Sequence, residues 1–113
     1  MIRFDPTQPL AEEASPPADR LLAGQPHARL RTDYESPDGR FSTGEWHCTP
    51  GRWRVAYDET EYCRILAGRG AVIDAAGGVH PLVAGDEFVI PAGFTGEWLV
   101  EEAMTKRWVV MLP

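Results

Sequence analysis

The sequence predicts an all-β fold in a single domain, and three observations support this prediction. From Phe41 onward, short apolar runs alternate with turn signals such as Pro50-Gly51 and Ala84-Gly85-Asp86, which is typical of strands joined by tight turns. Before that point, six prolines oppose the formation of long helices. The chain has 113 residues, which is the length of one domain with a single core.

Residues 1–40 are predicted to form an irregular N-terminal arm, and residues 41–113 are predicted to form the all-β domain. Proline has no N–H donor, so the prolines of the arm exclude central strands as well as helices. One short helix is possible near residues 18–22. We expect the rest of the arm to lie over the barrel or to pair with a partner chain. The prolines concerned are Pro6, Pro9, Pro16, Pro17, Pro26 and Pro37.

Eight strands are predicted after the arm, each bounded by turn signals. Neighbouring residues of a strand point to opposite sides, so alternation assigns the two faces of each strand. The predicted strands lie near residues 41–48, 52–57, 61–67, 70–75, 79–83, 86–90, 95–101 and 105–112. Alternation groups the residues of three strands into shared faces. In the strand 52–57 the face consists of Trp53, Val55 and Tyr57. In the strand 95–101 it consists of Gly96, Trp98 and Val100, and in the strand 105–112 of Lys106, Trp108 and Val110.

Composition excludes several classes of protein. Seventeen acidic residues against eleven basic ones give a formal net charge of −6, which argues against a surface that binds nucleic acid. No apolar run is long enough to span a membrane, and no signal-peptide core follows Met1. Cys48 and Cys63 do not form a CxxC motif, and we expect both to be reduced thiols. These features predict a soluble, cytoplasmic protein.

Two spaced motifs give a more specific prediction. Glu61 lies seven residues before Gly68, and the segment from Gly85 to Gly93 has the pattern Gly, five residues, Pro91, one residue, Gly. Together they resemble the two sequence motifs of the cupin superfamily. The resemblance implies a cupin double-stranded β-helix, or jelly-roll barrel, with Glu61 inside it. Placing Glu61 inward also turns Cys63 inward.

The same resemblance implies a metal site that this sequence does not complete. A typical cupin has three histidines and one glutamate as ligands, and only the glutamate is present here, as Glu61. One carboxylate cannot hold a transition metal alone, so we expect no typical cupin metal and leave the cofactor open. The alternative is a divergent metal site of Glu61, Cys63 and Tyr57. The three histidine positions correspond to Val55 and Tyr57, or with a longer gap to Arg54 and Ala56, and to Gly96.

A longer set of residues resembles one branch of the superfamily. It runs through Gly44 to Trp53, Tyr57, Glu61 to Gly68, Gly85 to Trp98, and Lys106. The set looks like the single-domain cupins grouped with (S)-ureidoglycine aminohydrolase, whose relatives include the ethanolamine-utilisation cupins. The full aminohydrolases look to be two-cupin proteins that bind manganese, whereas this chain has one cupin and lacks the histidines. Cupins also commonly associate through edge strands and N-terminal arms, so the resemblance implies a homodimer.

Lys106 is the only lysine among eleven basic residues, and it lies on a predicted inner face. Lysine is the base whose pKa shifts readily on burial, so an inward lysine has two interpretations. It either forms a buried ion pair with Glu61 or acts as a base or Schiff-base former of depressed pKa, with Glu61 as its proton partner. Cys63 beside it is either inert packing or a thiolate activated by the ammonium.

The predicted pocket is a narrow aromatic box with one carboxylate and one ammonium. Such a box could hold a small zwitterion or an amide, although the same tryptophans could also simply fill a small barrel. The candidate catalytic residues are Glu61, Lys106 and Cys63. The candidate ligand-binding residues are Trp46, Trp53, Tyr57, Phe94, Trp98 and Trp108.

Three functional hypotheses follow from these residues. The first is a cupin that binds or acts on a small nitrogen-containing metabolite inside the barrel. The second is a non-catalytic binding module or a partner of a catabolic enzyme, and the third is a divergent metal-binding cupin. Fold does not fix function, so whether the protein is an enzyme stays open at this point.

Overall fold

A computed structural model describes all of residues 1–113 and shows an all-β molecule, which confirms the predicted fold class. It contains no helix long and apolar enough to cross a membrane. A single 3-10 turn at Ala18–Arg20 accompanies nine strands. The strands are β1 Glu12–Glu13, β2 Leu21–Gly24, β3 Ala28–Glu35, β4 Phe41–Cys48, β5 Gly51–Ala56, β6 Thr60–Asp74, β7 Val79–Val83, β8 Glu87–Ile90 and β9 Thr95–Met111.

Two long strands, β6 and β9, pair along most of their lengths and belong to both layers of the barrel. The C-terminal part of β9 pairs with β4, and the first part of β6 pairs with β8. The N-terminal part of β9 pairs with β5, and the second part of β6 pairs with β7. Register shifts in β6 between Ile65 and Gly70 mark the place where the sheet curls from one layer to the other.

The structure corrects three predictions of local structure. The predicted strands 61–67 and 70–75 are one strand, and so are 95–101 and 105–112. Irregular pairing allows the chain to bend at these points without leaving the ladder, whereas Gly68 and Gly70 suggested a full turn in the first case. The predicted helix at 18–22 is limited to one 3-10 turn, because Leu21 is already extended and pairs with Trp53.

Part of the N-terminal arm is regular sheet. Strand β3 pairs with β4 from Ala28↔Cys48 to Glu35↔Ser42, and β1 adds to the far side of β3. The sheet therefore includes residues before position 41. This segment lies between Pro26 and Pro37 and contains no proline, so nothing prevents its N–H groups from joining the ladder.

The interior is filled by large side chains from both layers. The predicted inner faces of β5 and β9 are confirmed, because Trp53, Trp98 and Val100 are buried whereas Arg52 and Arg54 are more exposed. The largest side chains with almost no exposure are Trp98, Ile65, Met104, Val100, Cys48 and Cys63.

An ion cluster on the outer side of β3 fixes the beginning of the chain. Asp33 accepts hydrogen bonds from Arg31 Nε at 2.6 Å and from Arg107 Nη1 at 2.5 Å. Arg31 also donates to the backbone oxygen of Gln8 at 2.7 Å. Burial by itself raises the pKa of Asp33, but the two guanidinium groups outweigh it and hold the pKa below its usual value.

Candidate functional site

The centre of the barrel contains a buried ion pair between Glu61 and Lys106. Lys106 Nζ lies 3.2 Å from Glu61 Oε2 and 3.4 Å from Glu61 Oε1. The two residues are 7% and 5% exposed, so water screens the pair very little. Glu61 stands near the start of β6, and Lys106 belongs to the neighbouring segment of β9. The two strands therefore place both side chains inside the barrel, as the cupin resemblance implied for Glu61 and strand alternation predicted for Lys106.

A chain of hydrogen bonds extends the pair to one side. The hydroxyl group of Tyr57 donates to Glu61 Oε1 at 2.8 Å, and Trp98 Nε1 donates to the hydroxyl oxygen of Tyr57 at 3.0 Å. Burial raises the pKa of the Tyr57 hydroxyl well above its usual value, and the negative charge of Glu61 raises it further. Tyr57 is therefore a hydrogen-bond donor to the carboxylate at neutral pH.

Two tryptophans pack against the ammonium group of Lys106. Its Nζ atom lies 4.7 Å from the centroid of the Trp46 ring and 4.4 Å from that of Trp98, which is the geometry of cation–π contacts. The aromatic box predicted from the sequence is therefore built around the protein's own lysine.

The pKa of Lys106 lies above its usual value in this environment. Burial by itself lowers the pKa, but the attraction of the Glu61 carboxylate outweighs it. The ammonium form is thus favoured at neutral pH, which supports the ion-pair interpretation over a lysine of depressed pKa. A Schiff base would require the neutral amine.

Cys63 is completely buried beside the ion pair. Burial raises the pKa of its thiol to about 12, and the nearby ammonium of Lys106 lowers the pKa only in part. Burial likewise raises the pKa of Cys48 to about 12. The structure therefore favours inert packing for Cys63 over an activated thiolate.

We expect neither cysteine to react with a thiol reagent while the protein is folded. A thiolate is the reactive form, and a pKa of about 12 leaves almost none of it at mildly alkaline pH. The measurement is the release of thionitrobenzoate from Ellman's reagent, with and without guanidinium. Two thiols should react in denaturant and none in its absence. Rapid reaction of one thiol in the native protein, lost in Cys63→Ser, would contradict the inert interpretation.

A cavity of about 320 Å³ opens above the ion pair. Trp108 lines this cavity, and its indole nitrogen is buried without a hydrogen-bond acceptor in the chain. Ala14 lines it from the N-terminal arm, where its backbone N–H donates to the Ala28 oxygen at 3.0 Å. The lining residues are Ala14, Leu30, Trp46, Glu61, Lys106, Trp108 and Val110.

The structure does not bring all of the predicted site residues to this one cavity. Trp53 and Tyr57 line a neighbouring cavity, which Ala14 also borders. Phe94 contacts the Tyr57 ring at 6.1 Å between centroids but lines a separate apolar cavity on the other side of the barrel. Trp98 and Cys63 line none of these cavities.

Three residues of the cavity were not predicted from the sequence: Ala14, Leu30 and Val110. Val110 lay on the predicted face of Lys106 and Trp108, so alternation could have included it. Leu30 could have been found from the proline-free alternating segment around it. Ala14 has no signal in the sequence, because its position depends on how the arm crosses the barrel.

The residues inside the barrel do not fit the metal that the cupin resemblance implies. Val55 and Gly96 provide no ligand atom, and the hydroxyl of Tyr57 holds its proton tightly. The position beside the Glu61 carboxylate is taken by the Lys106 ammonium, whose positive charge would repel a metal ion. In the alternative site of Glu61, Cys63 and Tyr57, the thiol and the hydroxyl would also have to lose protons that their raised pKa values retain.

Comparisons with known proteins agree with the observed architecture. The EutQ-like cupin domain family matches residues 35–108. A solved protein of unknown function from Pseudomonas syringae pv. tomato has a TM-score of 0.86 and 18% identity, over 96% of this chain and 46% of that one. The EutQ protein of Clostridium difficile has a TM-score of 0.67 and 14% identity, over 76% of this chain and 63% of that one.

A putative ethanolamine utilisation protein from Salmonella typhimurium LT2 has a TM-score of 0.65 and 18% identity, over 78% of this chain and 70% of that one. Identities at this level show a shared fold. This chain spans less than two thirds of the Clostridium and Pseudomonas proteins. No curated protein matches it in sequence.

Proposed function

Since this chain belongs to the EutQ-like cupin domain family, we propose that it binds a small nitrogen-containing metabolite inside its barrel, at the Glu61–Lys106 pair. The observation that carries the proposal is a buried, mutually neutralised pair of charges at the border of a cavity of about 320 Å³. Cavities of roughly this size and larger are typical of small-molecule sites.

The energetics of buried charges support a role beyond stability. Removing a carboxylate and an ammonium from water costs several kcal/mol per ion, and hydrophobic side chains of the same volume often serve a core as well or better. Four tryptophans are buried in the same core, which shows that large aromatic side chains can fill this interior. A binding role accounts for the presence of two charged groups among them.

The test is a binding screen with small amides, amines and amino acids, followed by nuclear magnetic resonance of the labelled protein. The informative variant is the double substitution Glu61→Gln and Lys106→Met, which removes both charges and keeps both shapes. Arg64→Met is the matched control, because Arg64 is exposed on the same strand, β6. We expect at least tenfold weaker binding in the double variant and wild-type binding in the control. Equal binding in all three proteins would refute the proposal.

Proton transfer is a second candidate function, and the connected Tyr57, Glu61 and Lys106 side chains are the observation in its favour. Tyr57 and Lys106 both hold their protons at neutral pH, so neither is a base in the resting protein, and their raised pKa values also weaken them as general acids. This candidate includes hydrolytic activity of the ureidoglycine aminohydrolase type. The distinguishing result is turnover of a bound compound by wild type that Lys106→Met abolishes and Arg64→Met retains.

A further inference from the structure

We propose that a groove on the outer surface of the barrel binds an organic carboxylate, with the carboxylate group at Arg20 and Arg54 and the apolar part over Ile73 and Val79. This outer groove has a volume of about 650 Å³ and is the largest cavity of the molecule. It shares no lining residue with the cavity above the Glu61–Lys106 pair, so the inference is independent of the proposed function.

The register of four neighbouring strands gives the outer groove a charged end and an apolar end. Arg54 of β5 lies opposite Glu97 of β9, Glu97 lies opposite Ile73 of β6, and Ile73 lies opposite Val79 of β7. Cross-strand partners point to the same side of a sheet, so these four side chains form one row on the outer face. Neighbouring strands are about 4.8 Å apart, so the row is about 14 Å long.

The charged end of the outer groove has more guanidinium groups than carboxylates. Three of the ten arginines of a chain with a net charge of −6 line it, together with only two acidic residues. Arg52 is neutralised by Glu97, because its Nε and Nη2 atoms each lie 2.6 Å from Glu97 Oε1. One positive charge of the lining is therefore not balanced by the protein.

The second acidic residue of the outer groove, Asp74, has its own partners. Its Oδ1 atom accepts hydrogen bonds from the backbone N–H groups of Ala76 at 3.0 Å and Gly78 at 2.8 Å. Its Oδ2 atom lies 2.9 Å from His80 Nε2. Asp74 thus holds the β6–β7 turn together and forms no ion pair with an arginine of the groove.

Arg20 and Arg54 are the two arginines of the outer groove without an acidic partner. Neither forms an ion pair with any carboxylate of the chain. Arg54 Nη2 donates to the backbone oxygen of Asp19 at 2.9 Å, which holds the 3-10 turn and its last residue, Arg20, beside β5. Both arginines also line the neighbouring cavity, so they stand close together. Like charges held close together repel each other, and an anion between them removes that repulsion.

These features select an organic carboxylate over other small ligands. One unbalanced positive charge matches a ligand with one negative charge, and a cation would be repelled. The planar fork of a guanidinium group fits a carboxylate with two parallel hydrogen bonds. At the other end of the row, Ile73 is half-buried and Val79 is 60% exposed, so the apolar part of a ligand would cover surface that now contacts water.

The experiment compares probes of one chain length and different charge: hexanoate, hexanol and hexylammonium. Butyrate tests the apolar end, and inorganic phosphate tests an anion without an apolar part. Each probe is titrated at low salt, because exposed charges are screened. The readout is the nuclear magnetic resonance signals of the Ile73 and Val79 amides and of the Arg54 Nε–H group. The informative variant is Arg20→Met with Arg54→Met, and Arg64→Met is the control, since Arg64 is exposed but does not line the groove.

We expect hexanoate to shift these signals in a saturable way in the millimolar range, as is usual for so small a ligand. Hexanol and hexylammonium should bind at least tenfold more weakly. Butyrate should bind more weakly by up to about fourfold for each methylene group that hexanoate buries. The double variant should bind hexanoate at least tenfold more weakly, and Arg64→Met should bind it like wild type.

Equal binding of the three six-carbon probes, or tighter binding of inorganic phosphate than of hexanoate, would overturn the inference. This comparison uses the wild-type protein alone, so it decides the question even if the double variant does not fold. A second copy of the chain is the other possible occupant of the groove. A wild-type dimer that the double variant converts to monomers in sedimentation, with no shift by hexanoate, would also overturn the inference. None of these outcomes bears on binding at the Glu61–Lys106 pair.

Discussion

Replacing Lys106 with Met is expected to lower the free energy of unfolding by about 3–5 kcal/mol. The variant leaves the Glu61 carboxylate in the core with Tyr57 as its remaining hydrogen-bond donor. Glu61→Gln is expected to have a similar effect, because it leaves an unpaired ammonium against two indole rings. In each single variant, most of the loss comes from the charge that stays buried rather than from the contact that is removed.

The double variant, Glu61→Gln with Lys106→Met, is expected to recover most of that loss. It leaves no charge buried at this site, and ion pairs that are replaced by neutral side chains of similar volume often leave stability unchanged or increased. Urea denaturation of the four proteins forms a double-mutant cycle. The surface pair Arg52–Glu97 is the matched control, and its cycle should show only the small coupling typical of exposed pairs. The pair would not be coupled if the double variant lost as much free energy of unfolding as the two single variants together.

The stabilising coupling between Glu61 and Lys106 is expected to persist through mildly alkaline pH. The pKa of Lys106 is raised in the folded protein. A raised pKa means that the contribution of the ammonium is complete below its unfolded-state pKa. The contribution is then lost only as the pH rises through the higher folded-state value. The cycle should therefore give the same coupling at neutral and at mildly alkaline pH.

Gly44→Ala is expected to destabilise the protein by about 3 kcal/mol or more, at or beyond the upper end of typical overpacking effects. Gly44 lies on β4 opposite Trp108 of β9. A Cβ atom at this position would lie 1.8 Å from the backbone oxygen of Arg31 and 2.6 Å from Cζ2 of Trp108. The first contact is with the backbone of the paired strand β3, so relief requires the strands to separate.

Gly77→Ala is the matched control for this prediction. Gly77 has a φ of +86°, but nothing lies within 4 Å of the position that a Cβ atom would take. The substitution therefore costs only the strain of the left-handed conformation, about 1–2 kcal/mol. Chemical denaturation compares the two variants, and near-ultraviolet circular dichroism reports the displacement of Trp108 in Gly44→Ala. Equal destabilisation by the two alanines would show that the close approach to Arg31 and Trp108 is not what requires glycine at position 44.

These two experiments bear directly on the proposed binding site. The ion pair and Trp108 both line the cavity, and Gly44 provides the space in which the Trp108 ring lies. A variant that lacks both charges but keeps the fold shows the effect of the pair on binding without a change in stability. The double variant is therefore the most useful single protein for functional work.

Much of the fold could be predicted because strand alternation is local. A period of two depends only on neighbouring residues, and it placed Trp53, Trp98 and Lys106 on inner faces that the structure confirms. Strand boundaries were less predictable. Gly68 has a φ of +90°, which is typical of a turn, but in the structure β6 continues through it as an irregular ladder with β9. Strand β3 was not predicted, because the number of prolines in the arm suggested irregular structure. The prolines lie on either side of this strand and not within it.

Sequence patterns were enough to predict an all-β fold, and the cupin resemblance implied a barrel with Glu61, Lys106 and several tryptophans on its inner side. An ion pair between Glu61 and Lys106, 45 positions apart, was one of two interpretations that the sequence left open. Sequence patterns could not decide for it, or predict that the aromatic faces hold the protein's own ammonium group. The folded chain also leaves Trp108 without an acceptor and places Ala14 beside it, which no local pattern indicates. The reason is that alternation fixes the direction of each side chain. Which inward side chains meet depends instead on the register between distant strands and on the path of the arm.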